Sequence, residues 1–123
     1  MERTRFEQIV EQTFDRLPAQ FKEVIENVGV VVEDYPTEDL VIHLRLRSKN
    51  DLLGLYQGVP LPARGTWYGM KPVVPDKISL YQKNIEAHCA TEDQIIDKIY
   101  EVLIHEIGHY FGMSEEEIRA AGY

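Results

Sequence analysis

Phe6, Ile9, Val10, Thr13, Phe14 and Leu17 recur three and four positions apart. That spacing predicts an amphipathic helix that stops at Pro18. Phe21, Val24 and Ile25 predict a second, short helix beyond the proline. Residues 28–32 read Val-Gly-Val-Val-Val, a β-branched run that predicts a strand buried on both faces. Asp34-Tyr35-Pro36 then turns the chain. Two patterns compete over residues 40–47. Ile42, Leu44 and Leu46 alternate with His43, Arg45 and Arg47, as in a strand with one wet face. Thr37-Glu38-Asp39 reads instead as a helix start. The alternation favours the strand.

Residues 52–56 predict a further short strand, followed by a loop over 58–75 rich in glycine and proline. A loop of that length in a small domain is usually functional. Residues 77–82 form a plausible strand with Ile78 and Leu80 on one face. The last third is the clearest. Thr91-Glu92-Asp93-Gln94 has the form of a capping box, opening a helix to about Phe111. Gly112 suits the left-handed residue that ends such a helix. Ser114-Glu115-Glu116-Glu117 is a second capping box, opening a short terminal helix. The pattern is α+β, a short mixed sheet packed on helices within a single domain over residues 1–123.

The length of 123 residues supports one core and not two. A hydrophobic content of 44% with 28% charged residues excludes disordered and fibrous classes. Apolar runs such as 28–32 are too short to span a bilayer. Met1-Glu2-Arg3-Thr4-Arg5-Phe6 leads into no apolar segment, so no signal peptide is expected. The single cysteine, Cys89, fits a packing role and a reducing compartment, which predicts a soluble cytoplasmic protein. The net charge of −8 speaks against nucleic-acid binding. It is unevenly spread: residues 1–39 and 84–123 are acidic, whereas residues 40–83 carry seven basic and two acidic side chains. A solvated strand face with scattered loop charges accounts for that basic middle, and a local anion-facing surface is the alternative.

The last long helix contains His105-Glu106-Ile107-Gly108-His109. Side chains four apart project from one side of a helix, so both imidazoles can reach one metal ion. At this composition the HExxH pattern arises in about one per cent of shuffled chains, and requiring Gly112 and an acid at position 115 as well lowers that to roughly one or two in ten thousand. On a helical wheel the two histidines fall at the border of the wet and dry faces, and Glu106 falls inside the apolar arc. A carboxylate there is costly unless paired or functional. Beside a metal-bound water it is a candidate general base. A catalytic zinc takes three protein ligands and leaves one position open. Glu115, six residues beyond His109 with Gly112 between to reverse the chain, is the candidate third ligand; as a first-turn acid it also complements the helix dipole. His43 and His88 are alternatives.

His105, Glu106, His109, Gly112 and Glu115 resemble the extended HExxHxxGxx(H/D/E) motif of metzincin-type metallopeptidases. The wider chain resembles a bacterial family of small zincin-like proteins labelled as metallopeptidases. Residues 27–34, 52–61 and 75–81 carry that likeness, and residues 37–50 match it poorly. The resemblance implies a minimal zincin-like α+β fold with Zn2+ under a short sheet and a peptide or protein as substrate. The methionine-containing turn of larger metzincins is not expected here, since eight residues follow Glu115 and Met113 lies inside the motif. The leading expectation is zinc-dependent peptide hydrolysis with Glu106 as base. The loop 58–75 and the strand over 78–81 are the expected substrate wall, with Tyr56, Arg64 and Tyr68 as candidate donors. A metal-binding interaction module without turnover and a zinc-dependent RNA hydrolase are the rivals.

Overall fold

The computed structural model describes residues 1–58 and 76–122. Pro18 divides the first two helices: α1 spans Arg3–Phe14, and α2, with Pro18 as its N-cap, spans Ala19–Asn27. Three strands follow the expected positions: β1 at Gly29–Glu33, β2 at Gly54–Gln57 and β3 at Lys77–Tyr81. They form one sheet in the order β1-β3-β2, with β1 parallel and β2 antiparallel to β3. The fold is α+β, a small mixed sheet with helices packed against it. Among the described residues no helix is long and apolar enough to cross a membrane.

The core lies between the helices and the sheet face that carries Val30, Val32, Ile78 and Leu80. Phe6, Ile9 and Val10 of α1 meet Phe21 and Val24 of α2 there. The same core holds Ile99, Leu103 and Ile107 from α5, the long helix Glu92–Tyr110. Arg3 ties the helical layer to the end of β1. Its guanidinium donates to the Val32 carbonyl at 2.9 Å, to Gln82 Oε1 at 2.7 Å and to Asp34.

Four expectations need correcting. Residues 40–47 are not a strand. Helix α3, Glu38–His43, opens there on the Thr37 hydroxyl, which accepts from the Leu40 N–H. The alternation misled because none of α3 is buried, so its apolar residues report no core face. The helix ends with Leu46 N–H on the Val41 carbonyl and Arg45 N–H on that of Ile42. This termination needs a left-handed residue between, usually glycine, and Arg45 fills it at φ 56°. That conformation costs a non-glycine residue about 1 kcal/mol. The run over 28–32 is not buried on both faces either, for β1 lies at the sheet edge among the described residues, with Val31 38% exposed.

The strand over 78–81 is the centre of the sheet and not an edge, so its backbone is committed to β1 and β2. Finally, Thr91 makes only half of its capping box. Its hydroxyl accepts from Gln94 N–H, but the Gln94 side chain accepts from Ala90 instead of Thr91. Helix α4, Gln82–Ala87, follows β3 directly where the sequence predicted only the end of a strand. Arg64, Tyr68 and nearly all of the expected loop over 58–75 lie outside the described residues.

Candidate metal centre

The site is assembled at the C-terminal end of α5. Gly112 stops that helix at φ 80°, with Met113 N–H on the Gly108 carbonyl and Gly112 N–H on that of His109. The chain turns back at once into α6, Glu115–Ala120. Here the capping box is complete: Ser114 Oγ accepts from Glu117 N–H, and Glu117 Oε1 accepts from Ser114 N–H. The cap occupies Glu117 and makes Glu115 the first residue of the helix, facing back towards α5. Ile118 packs the corner. A Cβ on Gly108 would lie 2.8 Å from two atoms of its side chain, so α6 sits where it does because position 108 has none.

His105 and His109 stand one turn apart on α5 with ring centroids 5.0 Å apart. Both Nε2 atoms point at the Glu115 carboxylate. That of His105 lies 2.8 and 2.7 Å from its two oxygens, and that of His109 lies 2.9 Å from Oε1. His109 Nδ1 is 3.1 Å from the Met113 carbonyl oxygen, which can only accept. Nδ1 therefore carries the hydrogen, and Nε2 is the nitrogen offered to an ion. Ligand atoms from all three residues lie within 4.8 Å of one another, so the group could hold a metal. Two imidazole nitrogens and a carboxylate suit zinc, whose ~2.0–2.2 Å bonds in a tetrahedron set neighbouring ligand atoms ~3.3 Å apart. The two histidine-to-carboxylate spacings need to open by only about half an ångström to reach that value. A hydrogen bond with His105, foremost, holds the Glu115 carboxyl below its usual range against burial, and the neighbouring His109 adds a smaller lowering effect.

Glu106 lies on the same turn and is 8% exposed. Its Oε1 accepts from the backbone N–H of Tyr56 on β2 at 2.8 Å. Burial pushes this carboxyl above its ordinary range, opposed by the Tyr56 N–H and by His109 and His105. The approach of β2 to α5 depends on a second glycine. A Cβ on Gly54 would fall 2.5 Å from a Val102 methyl and 3.1 Å from the Ser79 carbonyl oxygen. Tyr81 N–H donates to the Leu53 carbonyl, so the backbone groups of Leu53 face β3 and those of Tyr56 face away from it. The side of β2 away from β3 is thus turned to the site, and Glu106 takes the Tyr56 N–H there. Tyr56 itself meets Tyr110 edge-on, and its hydroxyl donates to Asp76 at 2.9 Å.

The four side chains share a cleft of about 570 Å³ with Leu44, Leu46, Leu53 and Tyr56. His43 and His88, the alternative ligands, are exposed and stand outside the group. The family model for zincin-like metallopeptidases matches residues 25–123. This chain belongs to that family. No curated protein matches it. The match covers α3 as well as the centre, so residues 37–50 fall within the zincin-like region despite their poor likeness. The Tyr56 N–H, Gly54 and Gly108 were not singled out from sequence. A backbone donor leaves no mark there, although a glycine inside an apolar helical stripe was a usable signal for Gly108.

Proposed function

We propose that this zincin-like protein hydrolyses peptide bonds, with Zn2+ held by His105, His109 and Glu115 and with Glu106 as general base. The observation that carries this reading is the convergence of both Nε2 atoms on Glu115 beside a buried carboxylate in the same cleft. Zinc bound there supplies Lewis acidity, which brings water towards deprotonation near neutral pH and polarises a carbonyl. The residues do the rest. Glu106 is anchored through Oε1, which leaves Oε2 to take the proton from the attacking water. The raised carboxyl pKa brings it closer to working pH, where a base also returns protons readily. Glu106 then passes that proton to the amine nitrogen as the C–N bond breaks. His109 is kept in one tautomer by Met113, and Glu115 is kept in place by the Ser114 cap. The substrate is a peptide or protein segment lying in the cleft beside β2, in place of the central strand. A reducing cytoplasm suits the lone Cys89.

Replacing Glu106 by Gln tests the assignment. The variant should bind zinc with the parent's stoichiometry and lose at least ~10²-fold in cleavage of a peptide library. RNA cleavage is measured beside it. Full peptide cleavage by the variant refutes the base assignment. Absence of any cleavage by the zinc-loaded parent leaves the interaction-module reading, and RNA cleavage sensitive to Glu106 leaves the nuclease.

A further inference from the structure

Residues 40–50 contain no acid and, besides His43, three cations, Arg45, Arg47 and Lys49, in a protein whose net charge is −8. All three cations are exposed. Arg3, Arg5 and Arg16 each meet a carboxylate, whereas Arg45 and Arg47 make no ion pair or hydrogen bond among the described residues. Lys49 Nζ stands 4.3 Å from the centroid of the Tyr35 ring, which steadies the ammonium without neutralising it. Arg45 holds the left-handed position that ends α3, where glycine is the cheaper residue. Backbone strain kept at a non-glycine residue points to a use for its side chain. Apolar surface lies beside the cations. Helix α3 buries none of its residues, and Ile42 is 69% exposed and stands outside the cleft lining. Packing of the core thus explains neither the charges nor the isoleucine.

We infer that α3 and the turn after it form a docking surface, outside the cleft, for an acidic polypeptide segment that carries apolar side chains. Its carboxylates meet Arg45, Arg47 and Lys49, and an apolar side chain covers Ile42. Charge complementarity selects this occupant. A nucleic acid or an anionic membrane faces the field of the whole protein, which is negative, and three cations release few counterions. A single extended segment meets the patch alone. The surface adjoins the cleft, because Leu44 and Leu46, which flank Arg45, line it. Docking there raises the local concentration of the attached polypeptide at the metal-binding trio. The inference goes beyond the peptidase reading and does not rest on it, since docking is separate from turnover.

Fluorescence anisotropy with a labelled short peptide of alternating Glu and Leu tests this at low salt, on the zinc-loaded protein and again in chelator. The peptide should bind at least ~10-fold more tightly than its counterpart with Gln for Glu, and the difference should shrink as salt is raised. The counterpart with Ser for Leu should bind more weakly too. The variant Arg45→Gly/Arg47→Gln should lose most of the affinity, bind zinc like the parent and melt no lower, because glycine suits position 45. Ile42→Ser should lose the preference for Leu over Ser, and Arg47→Lys should keep most of the binding. Equal affinity for the Glu and Gln peptides, or binding untouched in the double variant, overturns the inference. Binding that needs zinc places the carboxylates on the ion and overturns it as well. So does association with phosphatidylserine vesicles, with poly(U) RNA or with a second copy in sedimentation that the double variant abolishes while the peptide fails to bind. Docking by a zinc-loaded parent that cleaves no peptide removes the peptidase reading and leaves the surface. Cleavage without docking does the reverse.

Discussion

Adding one methyl group at Gly108 should loosen the metal centre without unfolding the protein. The new Cβ would lie 2.8 Å from both Cγ1 and Cδ1 of Ile118, where carbon atoms normally stand ~3.5–4.0 Å apart. Something must yield by about 1 Å. Ile118 is 1% exposed and β-branched, so it has little room to rotate, and α6 is the part that moves. Glu115 begins α6, and zinc coordination tolerates only ~0.2 Å of misplacement. Zinc affinity should fall at least ~10-fold, the lower end of the effect of removing a supporting contact. Stability of the metal-free protein changes little, because alanine gains about 1 kcal/mol over glycine within a helix while overpacking costs about 1–3 kcal/mol. Competition with a chelating dye measures affinity, and melts in chelator measure stability. The pair Gly108→Ala/Ile118→Ala should bind zinc as well as Ile118→Ala alone, since the clashing atoms are gone. Parent-like affinity in Gly108→Ala refutes the reasoning, and so does a loss that Ile118→Ala fails to relieve.

The neighbouring glutamates should separate in zinc titrations. Glu115→Ala is expected to weaken binding by more than ~100-fold, Glu116→Ala to leave it unchanged, and Glu117→Ala to cost mainly the cap, about 1 kcal/mol of stability. Tyr81→Phe should stabilise the fold by about 1 kcal/mol in urea unfolding, because the buried Tyr81 and Ser79 hydroxyls meet no partner at hydrogen-bonding geometry among the described residues. Burial pushes the Tyr81 phenol up from its ordinary 10.0, outweighing a smaller opposing effect of nearby Ser79. The unfolded chain therefore ionises first, and the parent loses stability as pH rises through 10 towards the folded value, a loss that Tyr81→Phe should lack. Arg3→Ala should cost about 1–2 kcal/mol, discounted for the exposure of the Asp34 pair, and leave zinc affinity intact.

The C-terminal third was legible because its signals are local. The period-3.6 stripe of α5, the Gly112 stop and the Ser114 box lie within a few residues of what they control. Glu106 could be placed in the apolar arc on the same grounds, and it is buried. What failed were inferences about partners distant in sequence. The valine run could not reveal that β1 lies at an edge, nor could Ile78 and Leu80 reveal that β3 is central. In α3 two local signals conflicted, and the Thr37 cap decided the backbone because the apolar side chains had no core to align with. The Tyr56–Glu106 contact joins residues fifty apart through a backbone N–H, which every residue but proline carries.

The metal-binding trio occupies only eleven residues of chain, from 105 to 115. An ion held by it closes a short loop and leaves the sheet and the first two helices unlinked, so it constrains the unfolded chain little. Its grip depends on α6, six residues long with Ile118 as the one buried side chain. A helix so lightly moored can lift away while the rest of the molecule stays closed. Departure of an ion held there and collapse of the fold would thus cross different barriers, and such an ion could leave while the sheet and the first helices stay closed.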